Sequence, residues 1–172
     1  LEDALKLTSP NCDARPAGSP VDLLVIHNIS LPPGQFGGPW IDDLFLNLLD
    51  PRAHPYFQHL DGLRVSAHLL IRRDGSLIQY VPLHRRAWHA GVSCFRGRPR
   101  CNDYSIGIEL EGTDTLPFAD TQYATLVRVT RRIRELYPGI SADRIAGHSD
   151  IAPQRKTDPG PAFDWARYLV RL

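Results

Sequence analysis

Between Gly147 and Gly160 the chain reads GHSDIAPQRKTDPG, which places His148, Lys156 and Asp158 within eleven residues. Imidazole and carboxylate are metal donors, while a lysine between them is a charge that a cation would avoid. The ten-residue gap from His148 to Asp158 runs through a proline-containing loop, not along a helix at i, i+4, so spacing alone is weak evidence. His27 ends the apolar run VDLLVIHN just before a polar, Gly/Pro-rich stretch. Strand ends that open onto loops are where α/β proteins commonly build sites. His27, His148 and Asp158 together offer two imidazoles and one carboxylate, the catalytic-zinc pattern of three protein ligands and one open position. The competing structural reading has His27 capping a strand edge, His148 packed and Asp158 capping the C-terminal segment.

A carboxylate for proton transfer is less easily chosen. In YSIGIELE the apolar Ile106, Ile108 and Leu110 alternate with Ser105, Gly107 and Glu109, and Glu111 follows on the polar side. The pattern does not separate Glu109 from Glu111, nor function from a solvated sheet face. Among the other histidines, His54 and His59 flank a proline-rich helix end and read as surface residues. His68 reads as a half-buried strand residue and His84 as structural or exposed. His89, in AWHAG, has the tryptophan and glycine neighbours of a pocket wall.

The elements that must position these residues are legible from periodicity. Residues 21–28 form a short apolar run suited to a buried central strand. Residues 41–50 place Ile41, Leu44, Phe45, Leu48 and Leu49 on a helical face, stopped by Asp50-Pro51. Residues 66–82 read as a hairpin turning at Asp74-Gly75, and 104–110 as another strand. Leu126, Val129, Ile133 and Leu136 give 121–137 helical spacing, ended by Pro138-Gly139. The tail AFDWARYLVRL reads as a second amphipathic helix, and the proline clusters at 31–39, 96–100 and 152–161 as loops. The order β, α, β-hairpin, β, α, loop, α predicts a mixed α+β (α/β) fold with one central mixed β-sheet flanked by helices. A doubly wound nucleotide fold is disfavoured, because no Gly-rich turn joins a strand to a helix.

Bulk properties narrow the classes. A chain of 172 residues reads as one domain, 1–172, able to bury roughly 70% of its unfolded surface. A formal net charge of +1 argues for neither nucleic acid nor a membrane surface. No apolar run approaches the roughly 20 residues of a membrane span, and the start lacks an export-signal pattern. The chain has no methionine, so its first residue is not a translation start. Cys12, Cys94 and Cys101 are an odd set without CxxC spacing, read as free thiols of a reducing compartment; a Cys94–Cys101 bridge is the alternative.

Five ordered motifs add a resemblance. VIHNIS, SAHLLIRRDG, RAWHAG, CNDYSIGIELEGTD and GHSDIAPQRKTDPG look like the N-acetylmuramoyl-L-alanine amidases of the phage-lysozyme and peptidoglycan-recognition type. More narrowly they resemble the AmpD-type branch, cytosolic enzymes that act on 1,6-anhydromuropeptides in cell-wall recycling. The resemblance runs from about Ser9 to the end. It implies one Zn2+ held by His27, His148 and Asp158; the aspartate, where phage and recognition relatives usually have cysteine, supports the narrower branch. It implies a catalytic Glu109, the first glutamate of GIELEG, and a catalytic Lys156. Asn28, Arg64, Trp88, His89 and Arg100 fall in motifs that line the family's cleft, and arginine suits stem-peptide carboxylates. The implied protein is a cytoplasmic monomer whose partner is a small soluble muropeptide. Two rivals remain: a recognition module that holds peptidoglycan without cutting it, typically by losing a metal ligand, and an exported lysin acting on polymeric wall.

Overall fold

The computed structural model describes residues 1–172. Two short N-terminal strands, β1 (Leu5–Lys6) and β2 (Cys12–Asp13), precede β3 (Leu23–Ile29), α1 (Trp40–Leu46) and a 3-10 turn at Pro55–Leu60. A hairpin of β4 (Leu69–Ile71) and β5 (Leu77–Gln79) follows, then β6 (Arg86–Ala87), β7 (Cys94–Phe95) and β8 (Arg98–Pro99). The chain continues through β9 (Ser105–Glu111), α2 (Asp120–Leu136), β10 (Ile145–Gly147), α3 (His148–Ile151) and α4 (Trp165–Leu169). The main sheet is mixed, in the order β1-β5-β4-β9-β3-β10, with only the β4–β5 pair antiparallel. This is the architecture that the element order predicts.

Helices cover both faces, which explains why β9 is buried along all seven residues rather than on alternate ones. On one face Leu24, Ile26, Ile106 and Ile108 pack with Leu126, Val129 and Ile133 of α2 and Tyr168 of α4. On the other, Leu70 and Ile78 meet Ile41, Leu44 and Phe45 of α1, while Leu23 and Val25 meet Ala90, Tyr104 and Ile151. The candidate residues lie on this second face. His27 is in register with Glu109 across the parallel β3–β9 pair, and Gly147 is in register with Ile26, so His148 emerges from β10 beside His27.

Several boundaries differ from the sequence expectation. The first helix ends at Leu46, short of Asp50-Pro51, because Asn47 adopts a left-handed conformation at φ 61°. Its amide exchanges hydrogen bonds with that of Asn11, and Leu48 is left 68% exposed. The tail helix is confined to α4, started by Asp164 accepting from the Arg167 amide. Residues 96–100 are not loop alone: β7 and β8 pair around Gly97, at φ 83°. His68 sits just outside its strand and is fully buried. The N-terminal strands carry no periodicity to read, yet Ala4 is already part of the core. All three cysteines are free, Cys101 packing against the Tyr104 hydroxyl.

Candidate metal centre and active site

The carboxyl ends of β3 and β10 bring His27 and His148 together, and the loop after α3 returns Asp158 to them. His27 Nδ1 is 3.0 Å from His148 Nδ1 and 3.0 Å from Asp158 Oδ2, and His148 Nδ1 is 3.1 Å from the same oxygen. These three donor atoms form a nearly equilateral triangle. A tetrahedral zinc with bonds of about 2.0–2.1 Å sets its ligand atoms about 3.3 Å apart, so the triangle has the right dimensions. Hydrogen bonds alone do not satisfy it. Two facing Nδ1 atoms share at most one proton, and whichever tautomers are chosen, one edge is left with two lone pairs or two N–H groups opposed. A cation at the centre satisfies all three atoms.

The protonation states favour the same reading. Burial pushes the His27 imidazolium down to about 4, against the opposing effect of its hydrogen bond to Asp158. His27 is therefore neutral and its lone pair is free. Burial would raise the Asp158 carboxyl, but hydrogen bonds to His148 and His27 outweigh it and hold the group well below the ordinary carboxylate range. Coordination through two imidazoles and the Asp158 carboxylate would leave a divalent cation with a net +1, which preserves its Lewis acidity. The far nitrogens are also engaged: His27 Nε2 is 2.9 Å from His89 Nδ1, and His148 Nε2 is 3.2 Å from the Ala90 carbonyl.

Glu109 enters the same cleft from β9, with only 9% of its surface exposed. Burial first, and then the negative charge of Asp158, push its carboxyl well above the ordinary range, against the pull of Lys156. Its Oε2 is buried without any hydrogen-bond partner. A buried, unpaired carboxyl oxygen facing a cleft is costly and is characteristic of a group that handles protons. Glu111, two residues on, is instead fully engaged: it accepts from the Gly37 and Arg73 amides and pairs with Arg72 at 3.1 Å. The structure thus separates two carboxylates that alternation leaves equivalent.

The cleft has a volume of about 520 Å³. His27, Asn28, Trp88, His89, Glu109, His148, Lys156 and Asp158 all line it, and Leu31, Tyr56, Leu60 and Leu63 supply an apolar wall.

A family model described as N-acetylmuramoyl-L-alanine amidase matches residues 17–161. The 1,6-anhydro-N-acetylmuramyl-L-alanine amidase AmpD of Escherichia coli (strain K12) is 62% identical over 99% of this chain and 92% of its own. The chain belongs to the N-acetylmuramoyl-L-alanine amidase family. Among solved structures, the crystal structure of a selenomethionine AmpD derivative superposes with a TM-score of 0.97 at 60% identity, covering 100% of this chain and 96% of that one. The amidase AmiD from Escherichia coli, solved with the substrate anhydro-N-acetylmuramic acid-L-Ala-D-gamma-Glu-L-Lys, superposes at 0.66 with 32% identity, over 90% of this chain and 59% of that one.

In this amidase-family chain, the residues singled out from sequence do not all converge. Arg64 is exposed and faces a smaller neighbouring pocket beside α1. Arg100 is also exposed, paired with Asp103 at 3.1 Å. Asn28 lines the cleft but donates to Asp114 and to the Pro159 carbonyl, which fastens the segment carrying Asp158. His54 caps the 3-10 turn through the Tyr56 amide, His59 and His84 are exposed, and His68 accepts from the Gly107 amide in the core. The apolar wall escapes sequence reasoning, and so does Arg155, which lines the cleft and donates to the Ala90 and Val92 carbonyls. Tyr56, Leu60 and Leu63 lie in an irregular stretch without periodicity, and Arg155 differs from its basic neighbours only in where the loop aims it.

Proposed function

We propose that this protein is a zinc-dependent amidase that hydrolyses the amide between the lactyl group of 1,6-anhydro-N-acetylmuramic acid and the L-alanine of a soluble stem peptide, in muropeptide recycling. The observation that carries the reading is the triangle of His27, His148 and Asp158 donor atoms sharing a cleft with the unpaired Glu109 carboxyl. The naming of AmpD relatives supports the choice of substrate. The same complement of groups argues against a recognition module that has lost its chemistry.

Bound by these three residues, zinc supplies Lewis acidity, which makes a water acidic enough to ionise near neutral pH. Glu109 takes the proton of the attacking water; its raised affinity for protons suits it to hold that proton and deliver it to the departing alanine nitrogen. Lys156 lines the cleft from the loop that carries Asp158 and offers positive charge where the carbonyl oxygen becomes an oxyanion. Trp88 and the apolar wall give the sugar and lactyl groups a surface to pack on. Arg64 and Arg100, both exposed, reach stem-peptide carboxylates only by swinging over the rim. Replacing either by alanine then raises KM with kcat unchanged.

Turnover of one defined anhydromuropeptide, with products identified by mass spectrometry, tests the reading. Loss of turnover on chelation, recovery with zinc, and a free stem peptide beginning at alanine support it. Unaltered turnover in chelator, or cleavage at another bond, contradicts it. Running intact sacculi in parallel separates this activity from that of a wall-degrading lysin.

A further inference from the structure

The two imidazole donors are oriented from behind by adjacent residues of one short segment. His27 and His148 both present Nδ1 to the donor triangle. Their far nitrogens meet His89 Nδ1 at 2.9 Å and the Ala90 carbonyl at 3.2 Å. A carbonyl only accepts, so a His148 proton on Nε2 satisfies the closer contact and turns the Nδ1 lone pair inward, with Arg155 Nη2 farther off at 3.4 Å. His89 passes a matching constraint along: its Nε2 lies 3.1 Å from the buried Ser105 hydroxyl. If that nitrogen donates to the hydroxyl, His89 Nδ1 accepts and the His27 proton sits on Nε2; a hydroxyl that donates instead reverses the relay. A metal on Nδ1 of both histidines would place both protons on Nε2, the arrangement that the Ala90 carbonyl and a His89 accepting through Nδ1 accommodate.

The segment is itself fastened on every side. The Trp88 amide and carbonyl both bond to Ser66, and the His89 and Ala90 amides donate to Asn102 Oδ1 at 3.1 and 2.8 Å. Gly107 on β9 makes room for the His89 ring: a Cβ there would lie 2.5 Å from His89 Nδ1. The ring stands edge-on to His27, with centroids 5.0 Å apart. Arg155 adds a second donor to the Ala90 carbonyl at 2.6 Å.

We infer that the His89–Ala90 dipeptide, held by Asn102 and seated over Gly107, is a positioning clamp that fixes the ring orientation and tautomer of both histidine ligands. The inference rests on the metal-site reading of the preceding section. It reassigns His89, whose side chain lines the cleft but is spent on His27 and Ser105, from substrate contact to positioning residue.

The test is zinc affinity, measured by competition with a chromophoric chelator, alongside kcat and KM. His89→Phe keeps ring volume and removes the acceptor; it should weaken zinc binding by about 10- to 100-fold. With zinc saturating, KM should change little. His89→Asn restores an acceptor near the Nδ1 position and should recover most of the affinity. Asn102→Ala loosens the dipeptide from its backbone side and should weaken zinc binding in the same direction, which keeps the test decisive if His89→Phe does not fold. Thermal unfolding of the metal-free proteins checks folding. Zinc affinity unchanged in both His89→Phe and Asn102→Ala, with KM raised in the former, would overturn the clamp and return His89 to the substrate. A wild-type protein that takes up no zinc fails the underlying metal reading instead, and is seen before any variant is compared.

Discussion

Lys156 is exposed in a loop, whereas Glu109 is buried on the central strand, and the two placements predict different signatures. Lys156→Ala should lower kcat by about 100-fold with little change in KM, the loss expected when a group stabilises charge that develops only in the transition state. A rise in KM at constant kcat would make it a binding residue. Glu109 carries a pH signature in the metal-free protein. Below about pH 4 folded and unfolded chains both hold the neutral acid, since an unperturbed glutamate ionises near 4.3. As pH rises the unfolded chain ionises first, while burial keeps the folded carboxyl protonated, so this group's contribution to stability falls. Metal-free Glu109→Gln should therefore gain on wild type in urea denaturation from pH 4 toward neutrality; a constant difference across that range would contradict the burial argument. At this scale the donor types and their order along the chain were legible in sequence. Alternation did not distinguish Glu109 from Glu111, because it reports which face a residue shares and says nothing of which carboxylate finds partners; only the family resemblance pointed to Glu109.

Among elements, the loop at 31–39 is tied to the sheet through Glu111, which accepts from Gly37 and pairs with the largely buried Arg72. Glu111→Ala leaves that guanidinium without one of its two carboxylates, Asp42 being the other. Breaking a buried pair costs about 3–5 kcal/mol, so chemical denaturation should show a loss near the lower end while zinc stoichiometry persists. A stability change under 1 kcal/mol would show that the loop is held by other contacts. The long elements were readable from periodicity: β3, the β4–β5 hairpin, β9 and α2 fall within a few residues of expectation. The misread ends have local causes. Asn47 stops α1 early through a side-chain exchange with Asn11, a residue 36 positions away that no local pattern reveals. The apolar cleft wall was missed because Tyr56, Leu60 and Leu63 are placed by a 3-10 turn and an irregular loop with no repeating period.

For the molecule as a whole, parallel strands converge their carboxyl ends on one face, and the candidate chemistry gathers there in the way open α/β sheets place their ligands. No helix is long and apolar enough to cross a membrane. The most exposed large apolar side chains, Leu48, Val92 and Val170, belong to separate segments of the chain, and single exposed apolar residues are ordinary on a protein surface. Light scattering should accordingly give a mass near the 19.3 kDa of one chain; twice that mass would point to an interface not evident from the surface. The central claim is that a donor triangle holds zinc while a separate buried carboxyl moves the proton. It is tested most directly by measuring zinc content and anhydromuropeptide turnover on one preparation of Glu109→Ala. The account predicts one zinc per chain and turnover reduced by about 1,000-fold, within the range of general-base removal; zinc retained with turnover at the wild-type rate would contradict it.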